Sequence, residues 1–152
     1  MVIRTSVKAI IIREDKLLVT SNRNSQGEFY LLPGGGQCHG ENLHETLKRE
    51  CMEEIGTEVF IGELRLVRDY IGKNHEFAAT DSDAHQVEFM FECQIPDDYL
   101  PDCGTVPDSM QTGVRWLPLK NLHTYRIYPS GLSQAMEQMK EGNVITYLGD
   151  VN

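Results

Sequence analysis

Residues 34–57 read GGGQCHGENLHETLKRECMEEIGT, a glycine run followed by a segment of helical periodicity. Leucine, cysteine and isoleucine recur there at four-residue steps, which predicts an amphipathic helix over Glu41–Ile55. Pro33 and the three glycines end the preceding apolar strand and let the backbone approach a ligand closely. Gly56 stands where a helix C-cap is expected. The stretch therefore predicts a strand, a glycine loop and a helix in succession.

Three glutamates, Glu50, Glu53 and Glu54, fall on one side of the predicted helix. At about 100° per residue they share a sector roughly 100° wide, and Glu54 falls inside the apolar stripe. Carboxylates in this arrangement repel one another and lose hydration. On the same helical wheel Lys48 and Arg49 point away from the sector, so neither is expected to offset the repulsion.

A bound divalent cation would resolve this conflict. Mg²⁺ takes oxygen ligands and is often held by a few carboxylates together with substrate phosphates. The competing interpretation is a solvated acidic face, which is the usual place for a run of charges. The glycine loop favours the metal site, because its amides and the following helix N-terminus can face an anion.

The remaining sequence supplies strands on both sides of this segment. Runs rich in β-branched or alternating apolar residues predict strands at Val2–Ile12, Lys16–Thr20, Phe29–Leu32, Val59–Ile71, Val87–Phe91 and Val114–Leu117. Polar or proline-containing stretches predict loops at Ser21–Gly27, Gly72–Ala84 and Ile95–Thr112. A last helix is expected from Ser130 to about Lys140. We therefore expect an α/β protein with a mixed β-sheet and helices packed on it, rather than an all-α or all-β protein.

Composition narrows the possible functions. The 152 residues predict one domain over 1–152, and 14 basic against 23 acidic side chains give a net charge of −9. A chain this acidic is expected to bind long nucleic acids and anionic membranes poorly, because both carry negative charge. No targeting segment and no apolar run of about 18 residues is recognised, so we expect no membrane association. The cysteines form no framework, which predicts free thiols in a reducing cytoplasm: Cys38, Cys51, Cys93 and Cys103.

The stretch resembles the signature of the Nudix hydrolases. Their box reads Gly, five residues, Glu, seven residues, Arg-Glu, an apolar residue, any residue, Glu-Glu, any residue, Gly and an apolar residue. The positions in register are Gly35, Glu41, Arg49, Glu50, Glu53, Glu54 and Gly56. Cys51 and Thr57 occupy the apolar slots, and neither is charged or bulky. Looser resemblance at 31–33 and 114–119 extends the similarity over most of the chain.

The resemblance implies a Nudix-like α/β/α sandwich and a specific activity. Nudix enzymes hydrolyse a nucleoside diphosphate linked to another moiety, with water attacking a phosphorus in the presence of Mg²⁺ or Mn²⁺. By resemblance, Glu50, Glu53, Glu54 and the carbonyl of Gly35 are metal ligands. Glu53 or Glu50 orients or deprotonates the attacking water.

The resemblance also implies supporting roles. Arg49 and Glu41 are expected to be structural and to tie the helix to the glycine loop. A homodimer is expected by analogy with the family.

Residues outside the box are less constrained. Arg23 is a candidate for binding a substrate phosphate. Glu88 is a candidate for substrate binding, an extra metal ligand or the base, and otherwise an exposed strand carboxylate. Weaker candidates for metal contact, for covering the substrate or for stacking on a base are Asp108, His75, His85, Phe29, Tyr30 and Trp116.

Several functions stay open at this point. One version of the enzyme cleaves ADP-ribose or nucleotide sugars, and another removes pyrophosphate from nucleoside triphosphates. Nudix enzymes that cleave ADP-ribose often carry a proline some distance after the box. This chain has no proline between Pro33 and Pro96, which disfavours that version. A non-catalytic nucleotide-binding sensor and a non-hydrolytic enzyme such as an isomerase are the alternatives on the same scaffold. The intact box glutamates favour the hydrolase.

Overall fold

The computed structural model describes residues 1–144 and 146–152. Its strands are β1 (Arg4–Arg13), β2 (Lys16–Asn24), β3 (Gly27–Leu31), β4 (Gly34–Gly36), β5 (Phe60–Ile71), β6 (His85–Gln94), β7 (Gln111–Pro118), β8 (Ile127–Tyr128) and β9 (Tyr147–Asp150). Its α-helices are α1 (Leu43–Ile55), α2 (Ala78–Asp81) and α3 (Leu132–Lys140). None of the helices in this described part of the chain is long and apolar enough to cross a membrane.

The strands form one mixed sheet in the order β8-β3-β2-β1-β6-β5-β9, with β4 added to β1 and β7 added to β2. β1 runs parallel to β6 and antiparallel to β2 and β4. β1 and β2 pair only near their connecting turn, where Ile12 lies opposite Leu17 and Arg13 opposite Lys16. The sheet therefore divides into two halves, which separate toward the start of β1.

One helix covers each face of the sheet. Successive residues of β1 and β2 point to opposite sides, so each strand contributes to two cores. One core joins β1 to α1 and contains Val7, Ala9, Ile11, Leu47, Cys51 and Ile55. The other joins both strands to α3 and contains Ile10, Leu17, Val19, Leu132, Ala135 and Met136. The predicted α/β/α sandwich with a mixed sheet between helices is confirmed.

α1 begins at Leu43, two residues later than the apolar period predicts, because Asn42 is its N-cap. The Asn42 side chain accepts a hydrogen bond from the Glu45 amide at 2.9 Å, and the Glu45 carboxylate accepts one from the Asn42 amide at 2.8 Å. This capping box satisfies two amides that the helix cannot pair. Gly56 ends the helix with a φ of 71°, as predicted for a C-cap.

β2 extends to Asn24, so the prediction of a loop from Ser21 is wrong. The side-chain amide of Asn22 is buried and donates to the carbonyl and hydroxyl oxygens of Thr20, both at 3.1 Å. The backbone here also pairs with β3 on one side and β7 on the other. Polar residues thus continue the strand because their hydrogen bonds are met internally. The sequence patterns also did not predict β4 or β9.

Candidate active site

The glycine run forms β4, which pairs with Ser6–Lys8 of β1. Gly34 has a φ of 133°, and a Cβ there would lie 2.8 Å from the Lys8 Cα, so no other residue fits. A Cβ on Gly35 would lie 2.6 Å from the Glu50 Cδ. The Glu50 carboxylate therefore packs directly on the glycine strand, and this close approach depends on the missing side chains.

Arg49 links α1 to the glycine strand. Its guanidinium donates to Glu41 at 2.6 Å, to Glu50 at 3.0 Å, to Glu53 at 3.3 Å and to the carbonyl of Gly36 at 3.1 Å. The expectation that Arg49 points away from the acidic sector is therefore wrong. A helical wheel places only the Cα–Cβ direction, whereas the long arginine side chain bends back to reach its neighbours.

Glu41 holds the other end of this link. Its carboxylate accepts hydrogen bonds from Arg49, from the Thr46 hydroxyl at 2.8 Å and from the Cys38 amide at 3.1 Å. These donors, Arg49 first, lower the pKa of Glu41 to about 2. Glu41 and Arg49 thus make the contacts expected of residues that tie the helix to the glycine loop.

Glu54 lies behind the other two carboxylates, with 4% of its surface exposed. It accepts a hydrogen bond from the Gly34 amide at 2.9 Å. Burial raises the pKa of Glu54 to about 7, opposed by the nearby Lys8 ammonium and the Gly34 amide. The Lys8 ammonium donates to the Gly34 carbonyl at 2.6 Å. Sequence reasoning missed Lys8, whose signal is one lysine within the otherwise apolar run Val7–Ile12.

The donor set matches a hard divalent cation in its chemistry. Glu50, Glu53, Glu54 and the Gly35 carbonyl offer only oxygen atoms, which Mg²⁺ and Mn²⁺ prefer. Within residues 1–144 and 146–152, however, no three acidic, histidine or cysteine side chains are gathered as a ready-made cation site. Glu50 and Glu53 meet at Arg49, while Glu54 turns to Gly34. The Arg49 guanidinium thus holds Glu50 and Glu53, which the sequence analysis did not expect.

A loop after β6 fixes the C-terminal end of α1. The amides of Gly104, Thr105 and Val106 donate to the carbonyls of Glu54, Met52 and Glu53 at 3.0, 3.3 and 2.9 Å. These carbonyls have no partner within the helix. The predicted irregular stretch Ile95–Thr112 thus contains a segment that positions the carboxylate-bearing turn.

An open cleft of about 540 Å³ lies where the two halves of the sheet separate. Its aromatic lining is Phe29, Tyr70, Phe77 and Tyr128. Tyr128 makes edge-to-face contacts with Phe29 and Phe77, at centroid distances of 6.1 and 5.8 Å. The cleft also includes Arg4. A flat apolar ring can enter a site of this lining and size.

Glu88 lies beneath this cleft rather than at an exposed position, with 2% of its surface accessible. Its carboxylate accepts hydrogen bonds from Arg68 and Gln86, each at 3.0 Å, and both partners line the cleft. The expectation of an exposed strand carboxylate is wrong, because these two donors and the Ser6 hydroxyl, at 3.4 Å, replace the lost hydration. Glu88 orients two residues of the cleft wall.

The other sequence candidates are spread over the surface and the cores. The Arg23 side chain is 62% exposed and pairs with Glu28 at 3.5 Å, outside the cleft lining. His75 and His85 contact Asp150 and Asp69 at 2.6 and 3.0 Å. His85 lines the cleft, as does Phe29, whereas Tyr30 and Trp116 pack in the two cores. Asp108 lies near Glu54 and contributes to raising its pKa, after burial.

Sequence reasoning missed most of the cleft. Tyr70, Phe77, Tyr128, Arg68 and Arg4 come from distant parts of the chain and share no local pattern. Only the order of the strands brings them together.

Comparison with known proteins agrees with this geometry. The sequence model of the NUDIX domain matches residues 2–137. No curated protein matches the chain. A solved NUDIX hydrolase from Nitrosomonas europaea is 17% identical, with a TM-score of 0.72 over 94% of this chain and 92% of that one.

Two further solved structures carry more specific names. A UDP-X diphosphatase is 16% identical, with a TM-score of 0.70 over 97% of this chain and 68% of that one. An ADP-ribose pyrophosphatase from Streptococcus suis is 19% identical, with a TM-score of 0.65 over 98% of this chain and 100% of that one. At these identities the likeness shows the fold.

Proposed function

Because the chain belongs to the Nudix domain family and is a Nudix-type pyrophosphohydrolase, we propose which bond it cleaves and with which residues. The substrate is a small nucleotide, a nucleoside diphosphate linked to another moiety. Water attacks a phosphorus of its pyrophosphate, and the reaction depends on Mg²⁺ or Mn²⁺.

The packing of α1 against the glycine strand carries this proposal. Glu50 touches Gly35, and Arg49 holds Glu50, Glu53 and Gly36 together. The missing side chains let the carboxylates lie against the strand, so that a cation held there could also meet phosphate oxygens of a substrate. Arg4 packs on Gly36 and also lines the aromatic cleft, so the remainder of the nucleotide can bind in that cleft.

The box residues take distinct roles in this proposal. Glu50, Glu53, Glu54 and the Gly35 carbonyl hold the ion, which would lower the pKa of bound water and stabilise charge on the phosphoryl oxygens. Glu53 is the better base for water, since its side chain is 31% exposed against 13% for Glu50. Arg49 positions both carboxylates and does not need to touch the substrate.

The cleft favours a small ligand over a long nucleic acid. Its volume of about 540 Å³ lies within the usual range for small-molecule sites. A net charge of −9 opposes an extended polyphosphate backbone. Solved neighbours of the same fold are named for ADP-ribose and UDP-X, and these names support a nucleoside diphosphate with a second group attached. We also propose one domain over 1–152, a cytoplasmic location and a homodimer.

A substrate screen tests the proposal. The protein is incubated with Mg²⁺ and with nucleoside triphosphates, nucleotide sugars, ADP-ribose and dinucleoside polyphosphates, and products are identified by mass. We expect cleavage within a pyrophosphate, abolished by EDTA and restored by added Mg²⁺. Binding of a nucleotide without any product would instead establish the non-catalytic sensor. Cleavage that persists in EDTA would contradict the metal dependence.

A further inference from the structure

Within the described residues, Arg4 differs from the other arginines in having no hydrogen-bonding or ion-pair partner. The chain has eight arginines, and the other seven contact a carboxylate, carbonyl, amide or hydroxyl oxygen. In the described part of the chain, 1–144 and 146–152, the Arg4 guanidinium makes no hydrogen bond or ion pair. A free guanidinium in a chain of net charge −9 is available to an anion from outside the protein.

The position of this guanidinium is fixed by the glycine strand. A Cβ on Gly36 would lie 2.7 Å from the Arg4 Cζ, so the guanidinium packs on the bare glycine. Neighbouring residues of a strand present opposite faces, and Glu50 packs on Gly35 from the other face. Among the described strands β4 pairs with β1 alone, and its remaining backbone groups meet side chains instead, those of Glu54, Lys8 and Arg49. A ligand crossing β4 passes from the Glu50 side to the Arg4 side.

The same side chain lines the aromatic cleft. Arg4 thus stands between the carboxylates, where hydrolysis is proposed, and the rings of Tyr70 and Phe77, where a base can lie. A guanidinium presents a planar fork of donors that matches two phosphate oxygens. We propose that Arg4 is a substrate-binding residue that holds phosphate oxygens of the nucleotide as it crosses β4. This inference rests on the proposed function.

Binding of inorganic pyrophosphate with Mg²⁺, measured by calorimetry, tests the role without requiring turnover or a known base. The variants are Arg4→Gln, Arg4→Lys and, as a matched loss of one positive charge, Lys120→Gln. Lys120 is exposed and lies outside the cleft lining. We expect Arg4→Gln to weaken binding by about tenfold or more, the effect of losing a charge-assisted hydrogen-bonding group. Arg4→Lys should weaken it less, because the charge remains and the fork is lost.

Several outcomes separate this role from a structural one. All three variants should unfold near the wild-type temperature, since the Arg4 guanidinium makes no hydrogen bond in the described structure. An Arg4→Gln dissociation constant within twofold of the Lys120→Gln value overturns the inference, as does wild-type protein that does not bind pyrophosphate at millimolar concentration. Failure of the whole nucleotide screen would refute the proposed hydrolysis. The pyrophosphate result would still decide whether Arg4 binds phosphate.

Discussion

Gly104→Ala tests whether the loop after β6 holds the carboxylate-bearing end of α1. A Cβ at this position would lie 2.5 Å from the carbonyl oxygen of Glu53, which is backbone and cannot rotate away. The loop must therefore move off the helix. The move breaks the hydrogen bonds that Gly104, Thr105 and Val106 donate to the last helical carbonyls.

The expected cost follows from those contacts. A net contribution of about 1 kcal/mol for each hydrogen bond gives a loss of about 2–3 kcal/mol in the free energy of unfolding. For a chain of this size that loss lowers the melting temperature by about 5–10 °C. Because the shifted turn carries Glu53 and Glu54, kcat should fall as well, measured at a temperature where the variant is folded.

Gly113→Ala is the matched control, since a Cβ on Gly113 meets no atom within 4 Å. The same substitution at an open position should be neutral or stabilise by up to about 1 kcal/mol, because alanine restricts the unfolded chain. Thermal unfolding by circular dichroism compares the two variants. If Gly104→Ala melts at or above the temperature of Gly113→Ala, the loop does not hold the helix in the manner described.

Three further predictions concern the acids and the cleft. Glu53→Gln should lower kcat on the order of 10²-fold, because it removes a major electrostatic contribution. Glu58→Gln, which changes an exposed acid outside the helix, should not lower kcat. Equal turnover in the two variants would exclude Glu53 as a metal ligand or base. The depressed pKa of Glu41, about 2 against the usual 4.5, stabilises the fold above pH 4.5, and this contribution disappears as the pH falls toward 2. The melting-temperature gap between wild type and Glu41→Gln should therefore close over that interval, and a constant gap would contradict the assignment. Tyr70→Ala should raise KM for the preferred nucleotide more than it lowers kcat, because Tyr70 lines the cleft. Phe60→Ala, which removes an exposed ring elsewhere, should leave KM unchanged. If Phe60→Ala raised KM and Tyr70→Ala did not, the base would not bind in the cleft.

Local patterns predicted the parts of the site that lie close together in the sequence. The helix, its C-cap glycine and the burial of Glu54 follow from a period of 3.6 residues and hold in the structure. The β-branched residues of Val2–Ile12 likewise predicted a strand, and β1 spans Arg4–Arg13. These features depend on neighbours within one or two turns, so the sequence contains them directly.

The electrostatics of the acidic cluster could not be predicted in this way. The helical wheel placed Arg49 outside the acidic sector, yet the Arg49 guanidinium contacts Glu50 and Glu53. Lys8 lies far from Glu54 in the sequence and approaches it through the pairing of β1 with the glycine strand. Long side chains and strand pairing both act beyond the range of a periodic pattern.

The amino-acid sequence by itself determined the family and the set of acids on α1, because both rest on residue spacing within a short segment. The sandwich of helices around a mixed sheet followed from the resemblance to that family. Only the tertiary structure decided which basic side chain contacts which acid. It also decided that Phe29, Tyr70 and Tyr128 share one cleft with Arg4. The physical reason is that strand order and register are set by the burial of two cores at once, which joins residues from all parts of the chain.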